Sequence, residues 1–333
     1  MKKILRVIGI ILGIVVIAVI GFLIYFNSTH PNVAAAKDIH VEITPERLER
    51  GKYLANYVTN CIDCHSKRDF TKFSGPIVPG TEGMGGEVFD GPKADVPGVI
   101  YARNITPAGI GDWTDGELFR AITVGVNKKG EALFPLMPYT HFSKMSQEDI
   151  YSIISYIRSL KPIENKIPER KLDFPLNLIV KTIPKDLDGP LPPAPDRANT
   201  LAYGEYMVNA VACIACHTKL EKGQMLPGTE FAGGFKFCID GHCATSANIT
   251  PDNETGIGLL TKEAFLDKFR FYRDEKAKNI PVGKGGNNSP MPWGLYSNLT
   301  DEDLSAIYDY LRTLPPVVNK VEKYSVQTEP KYN

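Results

Sequence analysis

Cys61-Ile62-Asp63-Cys64-His65 and Cys213-Ile214-Ala215-Cys216-His217 decide the reading of this 333-residue chain. Two thiols one helical turn apart lie on the same side of the backbone, and the histidine that follows lies beside them. That spacing is the attachment signal for a c-type haem, with two thioethers to the vinyl groups and a proximal imidazole beneath the iron. The two units use four of the chain's 6 cysteines. A four-cysteine zinc site also uses paired Cys-x-x-Cys knuckles, but it needs no histidine directly after each. A thioredoxin-like pair needs a βαβ context, and none is apparent in the pattern. Two covalently bound haem c groups are therefore expected, on Cys61, Cys64, Cys213 and Cys216, with His65 and His217 as metal ligands.

Outward from the motifs, the chain reads as one unit written twice. Arg50-Gly51-Lys52-Tyr53 is echoed by Tyr203-Gly204-Glu205-Tyr206, Pro79-Gly80-Thr81-Glu82 by Pro227-Gly228-Thr229-Glu230, and Gly85-Gly86 by Gly233-Gly234. Asn104-Ile105-Thr106-Pro107 returns as Asn248-Ile249-Thr250-Pro251, and Met137-Pro138-Tyr139 as Met291-Pro292-Trp293. Two long copies suit two domains rather than a solenoid. Residues 44–160 form the first and 200–318 the second. A proline-rich linker, 161–199, joins them, and 319–333 form a C-terminal tail. Eight prolines between 162 and 195 prevent a continuous helix there.

The periodic segments are helical. Thr44-Pro45 places a cap before a proline at the first helical position, and Thr114 caps a helix through Glu117, Leu118, Ala121 and Ile122. Ser146 with Asp149 resembles a capping box that uses Asp for the usual Glu, and Thr300 with Asp303 repeats it. Glycine- and proline-rich stretches such as 66–103 have no pattern of their own, and a large apolar cofactor gives them a surface to pack on. The fold class expected is all-α, with two tandem domains behind one membrane helix.

That helix is Val7 to Phe26, an uncharged run long enough to cross about 30 Å of hydrocarbon. It exceeds the 7–15 residues of a signal-peptide core, although Ala34-Ala35-Ala36 would serve as a cleavage site. Residues 1–30 are expected to be a retained anchor. Lys2, Lys3 and Arg6 precede it, which puts the N-terminus in the cytoplasm and the rest on the outer, periplasmic side of a bacterial membrane. Haem c is attached on that side. The 38 basic and 38 acidic residues balance, so charge offers no case for nucleic acid.

What an iron does depends on its sixth ligand. Met137 and Met291 each precede a proline and an aromatic residue, and each lies nine residues before its helix cap, Ser146 or Thr300. A single methionine is usually core filler, but a pair at equivalent positions points to ligation. Met145 faces Leu299 across the repeat and reads as core. His141 is a rival in the first copy without a counterpart in the second. Cys238 and Cys243, with no counterpart in the first copy, are expected to form a disulfide in an oxidising compartment; a metal site with His242 or a redox-active pair are the alternatives.

With these residues, the chain resembles the class I c-type cytochromes. More narrowly it resembles the cytochrome c subunits of bacterial membrane-bound alcohol, aldehyde and gluconate dehydrogenases. The haem motifs, Asn248-Ile249-Thr250-Pro251-Asp252 with Gly256-Ile257-Gly258, and Met137-Pro138-Tyr139 running to Met145-Ser146 carry that resemblance. It implies His/Met ligation, an exposed haem edge and a partner dehydrogenase. Those subunits usually carry three haems and often a C-terminal anchor, whereas this chain has two motifs and an N-terminal one. Arg103, Asn104 and Asn248 become candidates for hydrogen bonds to haem propionates, against plain turn chemistry. The expected role is one-electron transfer between a dehydrogenase or quinol-linked donor and an oxidase or cytochrome acceptor. The alternative is a haem redox enzyme, of peroxidase or thiosulfate-oxidising type, with one open or labile site. No kinase, cyclase or DNA-binding module is appended to suggest a sensor.

Overall fold

The structure is a computed structural model, and it describes residues 2–91, 96–221, 223–239, 242–283 and 285–326. The end of the expected tail, 327–333, lies outside the described residues. Helix α1 (Lys2–Thr29) has no buried residue and a mean hydropathy of 3.3 over its most apolar window, consistent with a single-pass membrane anchor.

The body of the molecule is mostly helical. In the first half, α2 (Pro45–Tyr53), α3 (Asp115–Thr123) and α4 (Gln147–Arg158) surround the first motif; in the second, α5 (Thr200–Ala210), α6 (Lys262–Arg270) and α7 (Asp301–Leu311) surround the other. Local signals explain where the helices begin. The Thr44, Thr114, Ser146, Thr261 and Thr300 side chains each accept the backbone N–H three residues on.

Each half is built on one close helix crossing. At Gly51 a Cβ would fall 1.9 Å from the Ser152 carbonyl oxygen, and at Gly204 2.1 Å from that of Ala306. Glycine is the only residue that lets α2 lie on α4, and α5 on α7, at this separation. Leu54, Ile150, Ile154, Met207 and Leu304, none exposed, belong to one apolar cluster that runs through both halves without a break. Met145 and Leu299, 0% and 2% exposed, sit in it at equivalent places.

The all-α expectation needs correction. Val88–Asp90, Gly98–Tyr101 and Lys171–Leu172 form an antiparallel three-stranded sheet, and Lys236–Ile239, His242–Thr245 and Tyr324–Val326 form another. A two-stranded ladder joins Leu220–Glu221 to Gln224–Met225. Apart from Tyr324–Val326 in the C-terminal tail, these strands of two to four residues lie in the glycine- and proline-rich stretches, and all are too short to show an alternating pattern. Cys238 and Cys243 face each other across the second sheet and are joined by a disulfide; Asp240 and Gly241 of that turn lie outside the described residues.

The capping-box reading also changes. Ser146 and Thr300 do cap, but the acids at the third position serve other partners. Asp149 takes both Nε and Nη2 of Arg50, at 2.8 and 2.9 Å, and the Tyr206 hydroxyl at 2.5 Å. Asp303 takes the hydroxyls of Tyr203 at 2.9 Å and Tyr53 at 2.5 Å. Tyr206 reaches from the second half into the first, and Tyr53 from the first into the second. Each hydroxyl also accepts the N–H of the opposite half's cap, Ser146 or Thr300. A shorter acidic side chain on a buried surface is drawn to a charged or phenolic donor in preference to folding back on its own N-terminus.

Candidate functional site

The two Cys-x-x-Cys-His units have the same backbone. The helix before each ends, one residue takes a left-handed conformation (Asn60 at φ 51°, Ala212 at φ 56°), and the four residues Cys61–Cys64 or Cys213–Cys216 form a single turn. Asparagine tolerates that conformation; alanine does so at a cost of about 1–2 kcal/mol, which the packing on either side offsets. The following histidine closes the turn, with its N–H on the first cysteine's carbonyl at 3.0 Å for His65 and 2.9 Å for His217.

Both imidazoles are oriented in the same way. His65 Nδ1 donates to the Arg103 carbonyl at 2.6 Å, and His217 Nδ1 to the Ala247 carbonyl at 2.7 Å. That leaves Nε2 free and fixes the plane of the ring. The glycine pairs make this possible. Gly85 N–H holds the His65 carbonyl and Gly233 N–H that of His217, both at positive φ, where a Cβ would strike Arg103 or Ser246 backbone. Burial pulls both imidazole pKa values below the usual range, with the carbonyl bond opposing it, which favours the neutral ring.

The four motif cysteines are unpaired. Solvent reaches Cys64 and Cys216, yet protein crowds the sulfurs enough that burial pushes Cys64 and Cys213 to about 12 and Cys216 to about 11. Thiols held so firmly protonated suit neither a thiolate nucleophile nor a redox pair at neutral pH. Among the described residues no three His, Cys, Asp or Glu side chains converge as the ligands of a protein-bound ion would. The motifs are near one another: Cys216 raises the Cys64 thiol electrostatically, and buried Tyr296 senses Cys213, Cys216, Asp63 and Cys64 together. Asp63 is buried, and burial raises its carboxyl to about 6 despite Arg68 at 3.2 Å.

Met137 and Met291 are both half-buried against the common core, as Cys61 and Cys213 are. Each opens a one-turn helix, Tyr139–Phe142 or Trp293–Tyr296, through a bond from the residue two on to its own carbonyl. Their supports differ. The Ser74 hydroxyl, from the first half, donates to the Met291 carbonyl at 2.5 Å and accepts Trp293 N–H at 2.9 Å. Arg68 reaches the Pro290 carbonyl, and Asn288 binds both Ser74 N–H and the Phe70 carbonyl. The sequence offered no signal for this clamp, because its partners are more than 200 residues apart.

His141 spends Nδ1 on Asn209 Oδ1, at 3.2 Å. The asparagines are engaged in turn chemistry. Asn104 Oδ1 accepts the N–H and hydroxyl of Thr106 while its amide donates to the Ile163 carbonyl, and Asn248 does the same with Thr250 and Val317. Both are closed turns that pin the linker and the segment after α7. The Arg103 guanidinium reaches the Pro168 carbonyl at 2.8 Å. Four buried side-chain atoms among the described residues remain without a partner: Asn60 Oδ1, Arg120 Nε, Ser325 Oγ and the Tyr139 hydroxyl, which lies two residues after Met137.

The donor set thus fits a covalently held haem in each half: two protonated, unpaired thiols on one turn, an imidazole with only Nε2 free, and a thioether on the shared core. The Tyr139 hydroxyl in the first half is a buried donor that the protein does not satisfy.

Residues 201–315 match the cytochrome c family model. Along 289 residues the chain is 29% identical to the cytochrome c subunit of a quinone-dependent alcohol dehydrogenase from Gluconacetobacter polyoxogenes, covering 81% of this chain and 56% of that protein. It is 29% identical over 283 residues to the gluconate 2-dehydrogenase cytochrome c subunit of Pantoea cypripedii, covering 80% and 59%. A dihaem c-type cytochrome of Cereibacter sphaeroides is 24% identical over 280 residues, covering 77% and 82%. The chain spans a little over half the length of the dehydrogenase subunits it matches. Its second half matches the cytochrome c family model, in a chain that resembles the cytochrome c subunits of membrane dehydrogenase complexes.

Proposed function

We propose that the protein is a membrane-anchored dihaem electron carrier, built of two tandem cytochrome c domains at 44–160 and 200–318 around the linker 161–199. The observation that carries this is the repeated geometry of the two motifs, each with its histidine Nδ1 tied to a backbone carbonyl and its methionine on the same core. Cys61 and Cys64 hold one haem c, Cys213 and Cys216 the other; His65 with Met137, and His217 with Met291, are the axial pairs. Haem c when bound supplies a one-electron Fe(III)/Fe(II) couple, and methionine ligation raises its potential relative to two histidines.

The chain's own residues do the rest. The Arg103 and Ala247 carbonyls orient the imidazoles, the Ser74 clamp holds Met291, and the two motifs share the neighbourhood of Tyr296, which suits passage of an electron between halves. Helix α1 confines both sites to the outer face of the cytoplasmic membrane. The names of the similar subunits support a dehydrogenase or quinol-linked donor, with an oxidase or another cytochrome as acceptor.

A carbon monoxide difference spectrum of the reduced, haem-loaded protein tests the ligand set. Absence of binding is expected when both methionines stay on iron. Stoichiometric binding at one haem in the unaltered protein would refute the paired ligation and favour a redox enzyme with an open site.

A further inference from the structure

The linker carries a surface that electron transfer between two haems does not require. Between 170 and 185 it holds Leu172, Phe174, Leu176, Leu178, Ile179, Val180 and Ile183 together with Arg170, Lys171, Lys181 and Lys185, against one acid, Asp173. Its side chains are divided. Val180 is buried, 1% exposed, and fixes the segment to the body, whereas Phe174 is 79% and Ile179 50% exposed. Burying such side chains in water-free surroundings is worth more than leaving them in water, and apolar side chains flanked by lysines are the composition of a segment lying in a bilayer interface.

Its position commits it to that partner. The Lys181 ammonium hydrogen-bonds the Asn27 side-chain oxygen, and Asn27 directly follows the apolar run of α1. Asp186 takes the Ala34 N–H at 2.9 Å, so a second contact ties the same stretch to the exit of the anchor. With α1 across the membrane, Asn27 stands at the headgroups, and Ile179 lies within about 8 Å of Lys181 along the backbone. The lysines match the negative charge of phosphatidylglycerol-type lipid.

We propose that residues 170–185 form a second membrane contact, in which Phe174 and Ile179 enter the outer interface and Lys171, Lys181 and Lys185 meet anionic headgroups. This rests on the anchor reading of α1. The contact also sets which half faces the bilayer. Lys171–Leu172 pairs with Gly98–Val99, and Arg103, whose carbonyl holds His65, reaches back to Pro168. The first half is thus the one tied directly to this membrane contact.

Full-length, haem-loaded protein in nanodiscs of phosphatidylcholine and phosphatidylglycerol provides the test. Spin labels are placed singly at Phe174→Cys, at Ile17→Cys within the anchor, and at Leu259→Cys, an exposed apolar position in the second half. Accessibility to oxygen is compared with accessibility to a water-soluble nickel chelate. The expected result is a lipid signature at 17 and 174, with an oxygen-to-nickel ratio at 174 several-fold above that at 259. In discs of phosphatidylcholine alone the ratio at 174 falls. A lipid signature at 17 with 174 as aqueous as 259 overturns the second contact and leaves the anchor standing. An aqueous signature at 17 overturns the anchor, and the contact with it.

Discussion

Removing the hydroxyl of Tyr53 should harm the protein more than removing that of Tyr206, although the two residues are equivalent in the repeat. Both reach across to a buried acid in the opposite half, and burial, followed by the neighbouring carboxylate, holds both phenols above their ordinary range. The acids differ in what remains. In Tyr206→Phe, Asp149 keeps the two-pronged Arg50 guanidinium, so the loss is one bond to a charged group and one acceptor for Ser146 N–H, about 1.5–3 kcal/mol. In Tyr53→Phe, Asp303, whose side chain is 0% exposed, keeps only the Tyr203 hydroxyl and a loose contact to Arg197 at 3.6 Å. Arg197 is 58% exposed, and solvent screens most of its attraction. A buried carboxylate left short of partners costs about 3–5 kcal/mol. Urea unfolding of each haem-loaded variant, followed by circular dichroism and Soret absorbance, measures both losses. Equal losses, or a larger one for Tyr206→Phe, would refute the claim that Arg50 makes the difference.

Two further outcomes follow from the same contacts. Burial lowers the His141 pKa from its ordinary value near 6.5, with the Asn209 bond opposing it; the folded state therefore prefers the neutral ring, and the stability this gives is present above the ordinary histidine range and lost as pH falls through it. The thermal midpoint of His141→Asn should accordingly fall less than that of the parent between about pH 7.5 and about pH 5, and parallel declines would show that His141 does not contribute. Ser74→Ala removes the hydroxyl between the Met291 carbonyl and Trp293 N–H while leaving Met137 untouched; carbon monoxide should then bind at one haem of the two, and binding at neither or at both would count against the clamp.

What could be read from the chain divides by distance along it. A helix cap is a signal confined to four residues, which is why Thr44, Thr114, Ser146 and Thr300 were legible. The two motifs and the Met-Pro pairs were legible because the chain states each of them twice. The partners of Tyr53, Tyr206 and Ser74 lie some 60 to 250 residues away, and nothing at either end marks the other. Asp149 and Asp303 misled for a related reason. Their spacing from a cap suits a local bond, but the tertiary structure brings stronger donors. Asn104 and Asn248 are the converse, since polar side chains beside a cofactor motif invite a cofactor role while Thr106 and Thr250 already satisfy them from two residues away. The carbonyls that orient His65 and His217 belong to Arg103 and Ala247, and a backbone acceptor has no side-chain signature at all.

The crossed tyrosines have the logic of a symmetric dimer, in which residue i of one subunit meets residue j of its mate and j meets i. Here both subunits are on one chain, and the fusion relaxes a constraint. In a homodimer every change is made twice, so its two centres stay alike. In this protein the position beside each buried acid has diverged, to Arg50 on one side and Tyr203 on the other, and the two methionine loops are gripped from across the interface by different groups, Asn209 on His141 and Ser74 on Met291. On the proposed dihaem reading, a paired scaffold whose members can drift separately is able to give two chemically identical cofactors different surroundings, and with them a preferred direction for the electron.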